Sequence, residues 1–148
     1  MIGYFDASAL AKRYVEEPES STVRSLLDEC LVCTSRLSEV EVASALIRRT
    51  RDGALSRLER DRALSALSED MQSFYVVEFF PEIAKAARGL LLRHPLRAGD
   101  AVQLASSTHV RESAGESVLF VAFDRRLNEA AFGEGLMLPP GNRPPSPA

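Results

Sequence analysis

Short apolar runs alternate with longer amphipathic stretches along this chain, and that alternation restricts the fold more tightly than any other feature. Residues 2–5, 31–34, 75–79 and 118–123 are apolar runs too short for ordinary helices, so they read as strands. Between and after them, apolar residues recur at helical spacing over about 7–15, 21–29, 38–53, 55–74, 81–93, 100–110 and 125–132. Strands separated by helices pair in parallel, with the helices packed on the sheet. The expectation is an α/β fold, a three-layer α/β/α sandwich around a central parallel sheet of four to five strands, with 136–138 as an edge strand. In the helix after the second strand, Ser38 is expected as N-cap and Val40, Ala43, Leu46 and Ile47 as the apolar stripe. In the next helix Leu58, Leu64, Leu67 and Met71 are expected to face inward, and Pro81 suits the first turn of the one that follows the third strand.

With 148 residues, 45% of them hydrophobic, the chain supports one core, assigned to residues 1–138. Residues 139–148, rich in Pro, lack the side chains to build a packed element and are expected to form a flexible tail. No leader-like segment opens the chain and no apolar run approaches the ~20 residues that span a bilayer, so a cytoplasmic protein is expected. A net charge of -3 argues against nonspecific coating of nucleic acid, but not against a nuclease whose carboxylates hold cations. Cys30 and Cys33 have CxxC spacing without a second pair; read as part of a strand they face opposite sides, so both are expected to be ordinary buried thiols.

The acids carry the chemistry. In a parallel sheet, ligands bind outside the carboxyl ends of the strands, and Asp6 and Asp124 each follow a strand. Each equally suits the cap of the helix behind it. Asp100 stands before an apolar helix as cap or ligand, and Glu41, three residues after Ser38, fits a capping box. A helical wheel leans toward Glu39 rather than Glu41, and geometry alone leaves the two open. Clustered carboxylates repel one another unless a cation neutralises them. Hard, oxygen-preferring Mg²⁺ or Mn²⁺ fits such a donor set and can activate water against a phosphate.

Four segments then fall into a pattern: Asp-Ala-Ser-Ala-Leu (6–10), Thr-Ser-Arg-Leu-Ser-Glu-Val-Glu-Val-Ala-Ser-Ala-Leu (34–46), Leu-Arg-Ala-Gly-Asp-Ala-Val-Gln-Leu-Ala (96–105) and Val-Ala-Phe-Asp-Arg-Arg-Leu-Asn-Glu-Ala-Ala (121–131). In order and spacing they resemble the motifs of PIN-domain proteins, and more narrowly the VapC-type toxins of type II toxin–antitoxin pairs. The resemblance implies Mg²⁺- or Mn²⁺-dependent endoribonuclease activity that leaves 5′-phosphate and 3′-hydroxyl ends. It also implies homodimerisation and inhibition by a cognate VapB-like antitoxin, in a heterotetramer or larger assembly. By position, Asp6, Glu41, Asp100 and Asp124 match the family's four catalytic, metal-holding acids. Glu41 is favoured over Glu39 because the family's glutamate follows the strand-end serine, here Ser35, by six residues. Ser8 matches the family's small hydroxyl residue near the site, in a position to support Asp6, and equally suits an ordinary hydroxyl at a helix N-terminus.

Arg125 and Arg126, beside Asp124, are candidates for phosphate contact. The arginines at 48, 49, 51, 57, 60 and 62 fit a solvated helix face with i,i+4 pairs, or else a surface for RNA or antitoxin. Two enzymatic or regulatory rivals fit less well. A phospho-aspartyl phosphatase wants a second aspartate where Ser8 stands, and a receiver-type domain wants an acidic pair that is missing after Tyr4 and Phe5. A PIN-like protein-interaction module with a vestigial site is the third alternative, against which the intact acids count.

Overall fold

The computed structural model describes residues 1–147. Its elements run β1 (Ile2–Phe5), α1 (Ala7–Tyr14), α2 (Ser20–Glu29), β2 (Leu31–Ser35), α3 (Arg36–Arg51), α4 (Arg57–Ser73), β3 (Tyr75–Val77), α5 (Pro81–Arg93), α6 (Ala98–Ala114), β4 (Val118–Val121) and α7 (Arg125–Gly133). The strands form one sheet in the order β3-β2-β1-β4, and every pairing is parallel.

Alternation along the strands sorts the core into two layers. Tyr4, Cys33, Val118 and Phe120 face Ile83, Leu90, Leu104 and Leu127 of α5, α6 and α7. Phe5, Leu119 and Val121 face Leu10, Val23, Val42, Leu46 and Leu67 of α1 to α4. Each such buried side chain contributes roughly 1.5–3 kcal/mol, and a one-residue slip would turn both sets to the wrong face. Tyr4 and Phe120 are register partners whose rings stack 5.7 Å apart. Gly3 is required by close approach, since a Cβ there would lie 2.8 Å from Cys30 Sγ and 2.9 Å from Phe5 Cε2.

The strand order sets the site. From β1 the chain moves to β2 and β3 on one side, while β4 pairs on the other. Connections therefore leave β1 and β4 in opposite senses, which opens a crevice beyond the carboxyl ends of these two strands.

Several local expectations give way to tertiary context. The cap of α3 is Ser35, whose Oγ accepts from Leu37 N, and Ser38 lies buried inside the helix instead. The buried stripe of α3 is Ser38, Val42 and Leu46, with Val40 exposed. In α4 it is Ala63, Leu67 and Met71, with Leu58 exposed. Cys30 ends α2 rather than starting a strand and is half-buried; Cys33 is buried, and both thiols are free. Residues 136–138 meet the sheet through one parallel bridge, Leu119 to Met137, in place of a full edge strand. Within 139–148, Pro140–Asn142 form a 3-10 turn, and Asn142 Nδ2 donates to Ala122 O at 2.6 Å. Among the described residues no helix is long and apolar enough to cross a membrane.

Candidate active site

The two strand-end aspartates are set by backbone. Asp6 N donates to Val121 O at 3.1 Å, one step past the last register pair of β1 and β4, Phe5 and Val121. The Asp6 side chain then caps α1, its Oδ1 accepting from Ala9 N at 2.9 Å and from Ser8 Oγ at 2.7 Å. Ser8 Oγ in turn accepts from Phe123 N at 3.1 Å. Ser8 thus ties the Asp6 carboxylate to the loop that carries Asp124. Asp124 caps α7, accepting from Leu127 N on Oδ1 at 2.8 Å. Capping and site-building, alternatives in the sequence, coincide in both residues.

The other two acids come from helices. Asp100 lies in the first turn of α6, whose N-cap is Arg97, so it belongs to the helix and does not precede it. Glu41 projects from the flank of α3, and Gln103 Nε2 donates to its Oε1 at 3.1 Å. Gln103 is almost wholly buried; it accepts from Tyr4 OH at 2.7 Å and donates to Ser38 Oγ at 3.0 Å. Glu39 lies on the opposite flank of α3 and pairs with Arg36 at 2.8 Å. Glu41, Asp100 and Asp124 line one cleft of about 730 Å³, together with Arg97, Arg125 and Arg126. Asp6 is buried and does not line this cleft, but it feels the charges of Glu41 and Asp100.

Burial, more than mutual repulsion, governs the protonation of Asp6, Glu41 and Asp100. It pushes Asp6 up to about 7, against the opposing hydrogen bonds from Ser8 and Ala9, and the charges of Glu41 and Asp100 add to the rise. Glu41 is raised by burial and by Asp100, with Gln103 opposing. Asp100 is raised by burial and then by Asp124. Asp100 is therefore the acid to which the other three are all coupled. Because Asp6 and Asp124 cap α1 and α7 and Asp100 lies in the first turn of α6, the N-terminal dipoles of these helices favour negative charge here.

A hard divalent cation fits this donor set. Asp6, Glu41 and Asp124 each have one oxygen held by the fold, while Oδ2, Oε2 and Oδ2 respectively take no hydrogen bond among the described residues. Oxygen donors that are fixed in direction, with one lone atom presented, suit Mg²⁺ or Mn²⁺. Among the described residues no three acids stand close enough together to enclose an ion.

Two residues at the site were not singled out from the sequence: Gln103, buried behind Glu41, and Arg97, which lines the cleft. Gln103 had a signal: it is the polar residue within Ala-Val-Gln-Leu-Ala, three positions after Asp100 and hence on the same face of the helix. Arg97 had none. Of the arginines around Gly53, none lines the acidic cleft; Arg49 pairs with Glu17 and Arg60 with Asp61, neither at i,i+4 spacing.

The sequence and the fold match a known family. The PIN domain model matches residues 3–133, and the chain belongs to the PIN-domain family. It is 35% identical over 144 residues to Ribonuclease VapC45 of Mycobacterium tuberculosis strain CDC 1551, covering 96% of this chain and 97% of that protein. Among solved structures, M. tuberculosis VapC20, described as a sarcin-ricin loop cleaving toxin, superposes with a TM-score of 0.66 at 21% identity, over 86% of this chain and 94% of that one. A toxin–antitoxin complex from Klebsiella pneumoniae aligns with a TM-score of 0.52 at 18% identity, over 79% and 83%. At these identities the two structures speak to the fold.

Proposed function

We propose that this chain is a divalent-metal-dependent endoribonuclease, the toxin of a VapC-type toxin–antitoxin pair. The observation that carries the reading is a cleft lined by Glu41, Asp100 and Asp124 with three arginines, next to the buried Asp6, which feels the charges of Glu41 and Asp100. The 35% identity to a ribonuclease over nearly the whole chain supports it. The toxin–antitoxin complex among its structural neighbours agrees with a VapB-like antitoxin as partner, and homodimerisation belongs to the same reading.

Asp6, Glu41, Asp100 and Asp124 would hold one or two Mg²⁺ or Mn²⁺ ions. When bound, the ion supplies Lewis acidity for attack by water and offsets charge on the phosphoryl oxygens. Ser8 and Ala9 fix the direction of Asp6, and Gln103 fixes that of Glu41. Arg97, Arg125 and Arg126 draw in the RNA backbone and orient the scissile phosphate. In the reaction a water oxygen bonds to phosphorus as the bond to the 3′ oxygen breaks, leaving a 5′-phosphate and a 3′-hydroxyl.

Purified protein should cut RNA with Mg²⁺ or Mn²⁺ and stop on addition of EDTA, and Asp6→Asn should lose the activity while keeping its circular dichroism spectrum. Asp6→Asn protein as active as wild type would remove Asp6 from the mechanism. Wild-type protein inert toward RNA with either metal would remove the reading itself.

A further inference from the structure

Lys12 is a buried cation that the chemistry above leaves unused. It is 7% exposed and lies in α1, buried together with Ala9, Leu10 and Ala11. A lysine is almost never buried unless its charge is matched, because the long side chain otherwise carries the ammonium out to water. Here Glu17 Oε2 and Glu19 Oε2 lie 3.1 Å from Nζ, and Pro18 O lies at 2.9 Å. These three oxygens match the three N–H donors of an ammonium. Nζ also meets the ring of Phe123, 4.7 Å from its centroid.

The chain turns from α1 to α2 around this one ammonium. Glu19 is the one non-glycine residue with a positive φ among the described residues, at 66°, and it begins α2 without a side-chain cap. Such a conformation persists only where the surroundings hold it, and the pair with Lys12 ties the Glu19 side chain down. Glu17 pairs with Arg49 of α3 as well. The cluster sets two carboxylates against two cations, so it adds no net charge to the neighbouring acidic cleft. What it delivers there is position.

That position is the position of Phe123, the residue before Asp124. Asp124 is exposed, and its side chain makes one hydrogen bond among the described residues, the cap from Leu127 N, so its place depends on the loop that leads from β4. The loop backbone is gripped at two atoms. Phe123 N donates to Ser8 Oγ at 3.1 Å, and Ala122 O accepts from Asn128 Nδ2 at 3.0 Å and from Asn142 Nδ2 at 2.6 Å. The Phe123 ring is half-buried and lines an open cleft of about 600 Å³, so apolar packing covers it only in part. The cation completes the hold, since the negative face of an aromatic ring attracts an ammonium most strongly where water is excluded.

From these observations we infer that Lys12 is a positioning residue for Asp124: held by Glu17, Pro18 and Glu19, it clamps the Phe123 ring and so sets the loop that presents the Asp124 carboxylate to a metal ion. With the clamp in place the loop is ordered before the ion arrives; without it, the ion must order the loop on binding, and affinity falls. The clamp acts on metal affinity, not on the chemical step, because Lys12 touches none of the four acids. This inference rests on the metal-holding role that the ribonuclease reading gives Asp124, and it deepens that reading.

The test is Mn²⁺ titration of the full-length chain, read by loss of the free-ion electron paramagnetic resonance signal, beside RNA cleavage at saturating Mn²⁺. Lys12→Met keeps a long side chain without its charge; it should weaken Mn²⁺ binding about tenfold and leave cleavage at saturating metal near wild type. Lys12→Arg returns a cation to the ring and should recover part of the affinity. Phe123→Leu leaves the Glu17–Glu19 corner intact and should weaken Mn²⁺ binding to the same degree. The double variant Lys12→Met with Phe123→Leu should bind no more weakly than either single one, because both act through one contact. If Lys12→Met fails to fold, Phe123→Leu decides, and wild-type Mn²⁺ affinity in that variant overturns the inference. A lysine that serves the fold alone would lower the melting temperature of Lys12→Met with Mn²⁺ affinity unchanged, or its effect would add to that of Phe123→Leu; either result overturns the clamp. Wild type that binds Mn²⁺ without cutting RNA overturns the ribonuclease reading and leaves the clamp standing. Wild type that binds no Mn²⁺ overturns both.

Discussion

The acids at the strand ends and the acids on the helices reach the same cleft by different physics. Asp6 and Asp124 are placed by backbone: each ends a connection from a strand and satisfies the first N–H groups of the next helix. Their position is as firm as the β1–β4 pairing. Glu41 and Asp100 are placed by packing, because α3 and α6 lie on opposite faces of the sheet and meet only beyond its end. What joins them is the buried chain from Tyr4 through Gln103 to Glu41. The comparison shows that half of the site is inherited from the topology, while the other half depends on one side-chain amide.

If both halves serve one ion-binding cluster, removing an acid from either should be equally damaging. Asp100→Asn should lower RNA cleavage on the order of 10³-fold, matching Asp6→Asn, since each removes several kcal/mol of transition-state stabilisation. Asp100 is the sharper choice because the other three acids are all coupled to it. Single-turnover cleavage by Asp100→Asn within tenfold of wild type would separate the helix-borne acids from the chemistry.

The supports should differ where the acids do not. Gln103→Ala removes the donor to Glu41 and strands Tyr4 OH in the core, so activity or metal affinity should fall about 10–100-fold. Ser8→Ala changes an exposed residue and leaves Asp6 still held by Ala9 N–H, so its loss should be smaller. Metal titrations of the two variants compare them, and a greater loss in Ser8→Ala would reverse the ranking.

The same contrast explains what the sequence could disclose. A strand followed by Asp and then an amphipathic helix is a local pattern, and for Asp6 and Asp124 the local pattern and the final geometry agree. The two-layer core is likewise written in alternation, as Tyr4 beside Phe5 and Val118 beside Leu119 demonstrate. For α3 the local pattern misleads. Its burial is decided by Thr34 and Gln103 meeting Ser38, so a polar residue occupies the inner stripe and Val40 is left outside. Glu39 and Glu41 then sit on opposite flanks, a difference that exists only after α6 is in place. The docking of residues 140–142 was hidden for a related reason: a proline-rich composition signals no packed element, yet Asn142 donates to the carbonyl of Ala122 just past β4.

Burial of Asp6 makes stability depend on pH in a direction opposite to that of a paired surface carboxylate. Its folded value of about 7 lies above the usual carboxylate range, so the folded state holds a proton there that the unfolded chain releases. That contribution is complete below about pH 4 and is lost as pH rises toward 7. Metal-free protein should therefore melt at a lower temperature at pH 8 than at pH 6, and Mg²⁺ should narrow the gap because cations bind the deprotonated acids. Asp6→Asn should flatten the profile. A metal-free melting temperature that rises from pH 6 to pH 8, and rises equally in Asp6→Asn, would show that Asp6 is ionised throughout.

The smallest expected effect separates the two glutamates. Glu39 holds Arg36 in a half-exposed pair, with Glu78 as a second partner for the same guanidinium. Such pairs contribute roughly 0–1 kcal/mol, and Arg36 keeps Glu78 when Glu39 is neutralised. Glu39→Gln should therefore lower the melting temperature slightly and leave RNA cleavage at the wild-type rate, because its carboxylate does not line the acidic cleft. Glu41→Gln should do the reverse: it removes a half-buried charge that Asp100 repels, so the metal-free protein gains stability while cleavage falls with that of the other acids. Cleavage that fails in Glu39→Gln and survives in Glu41→Gln would mean that α3 presents its other flank to the RNA, and that the link from Gln103 to Glu41 serves the fold alone.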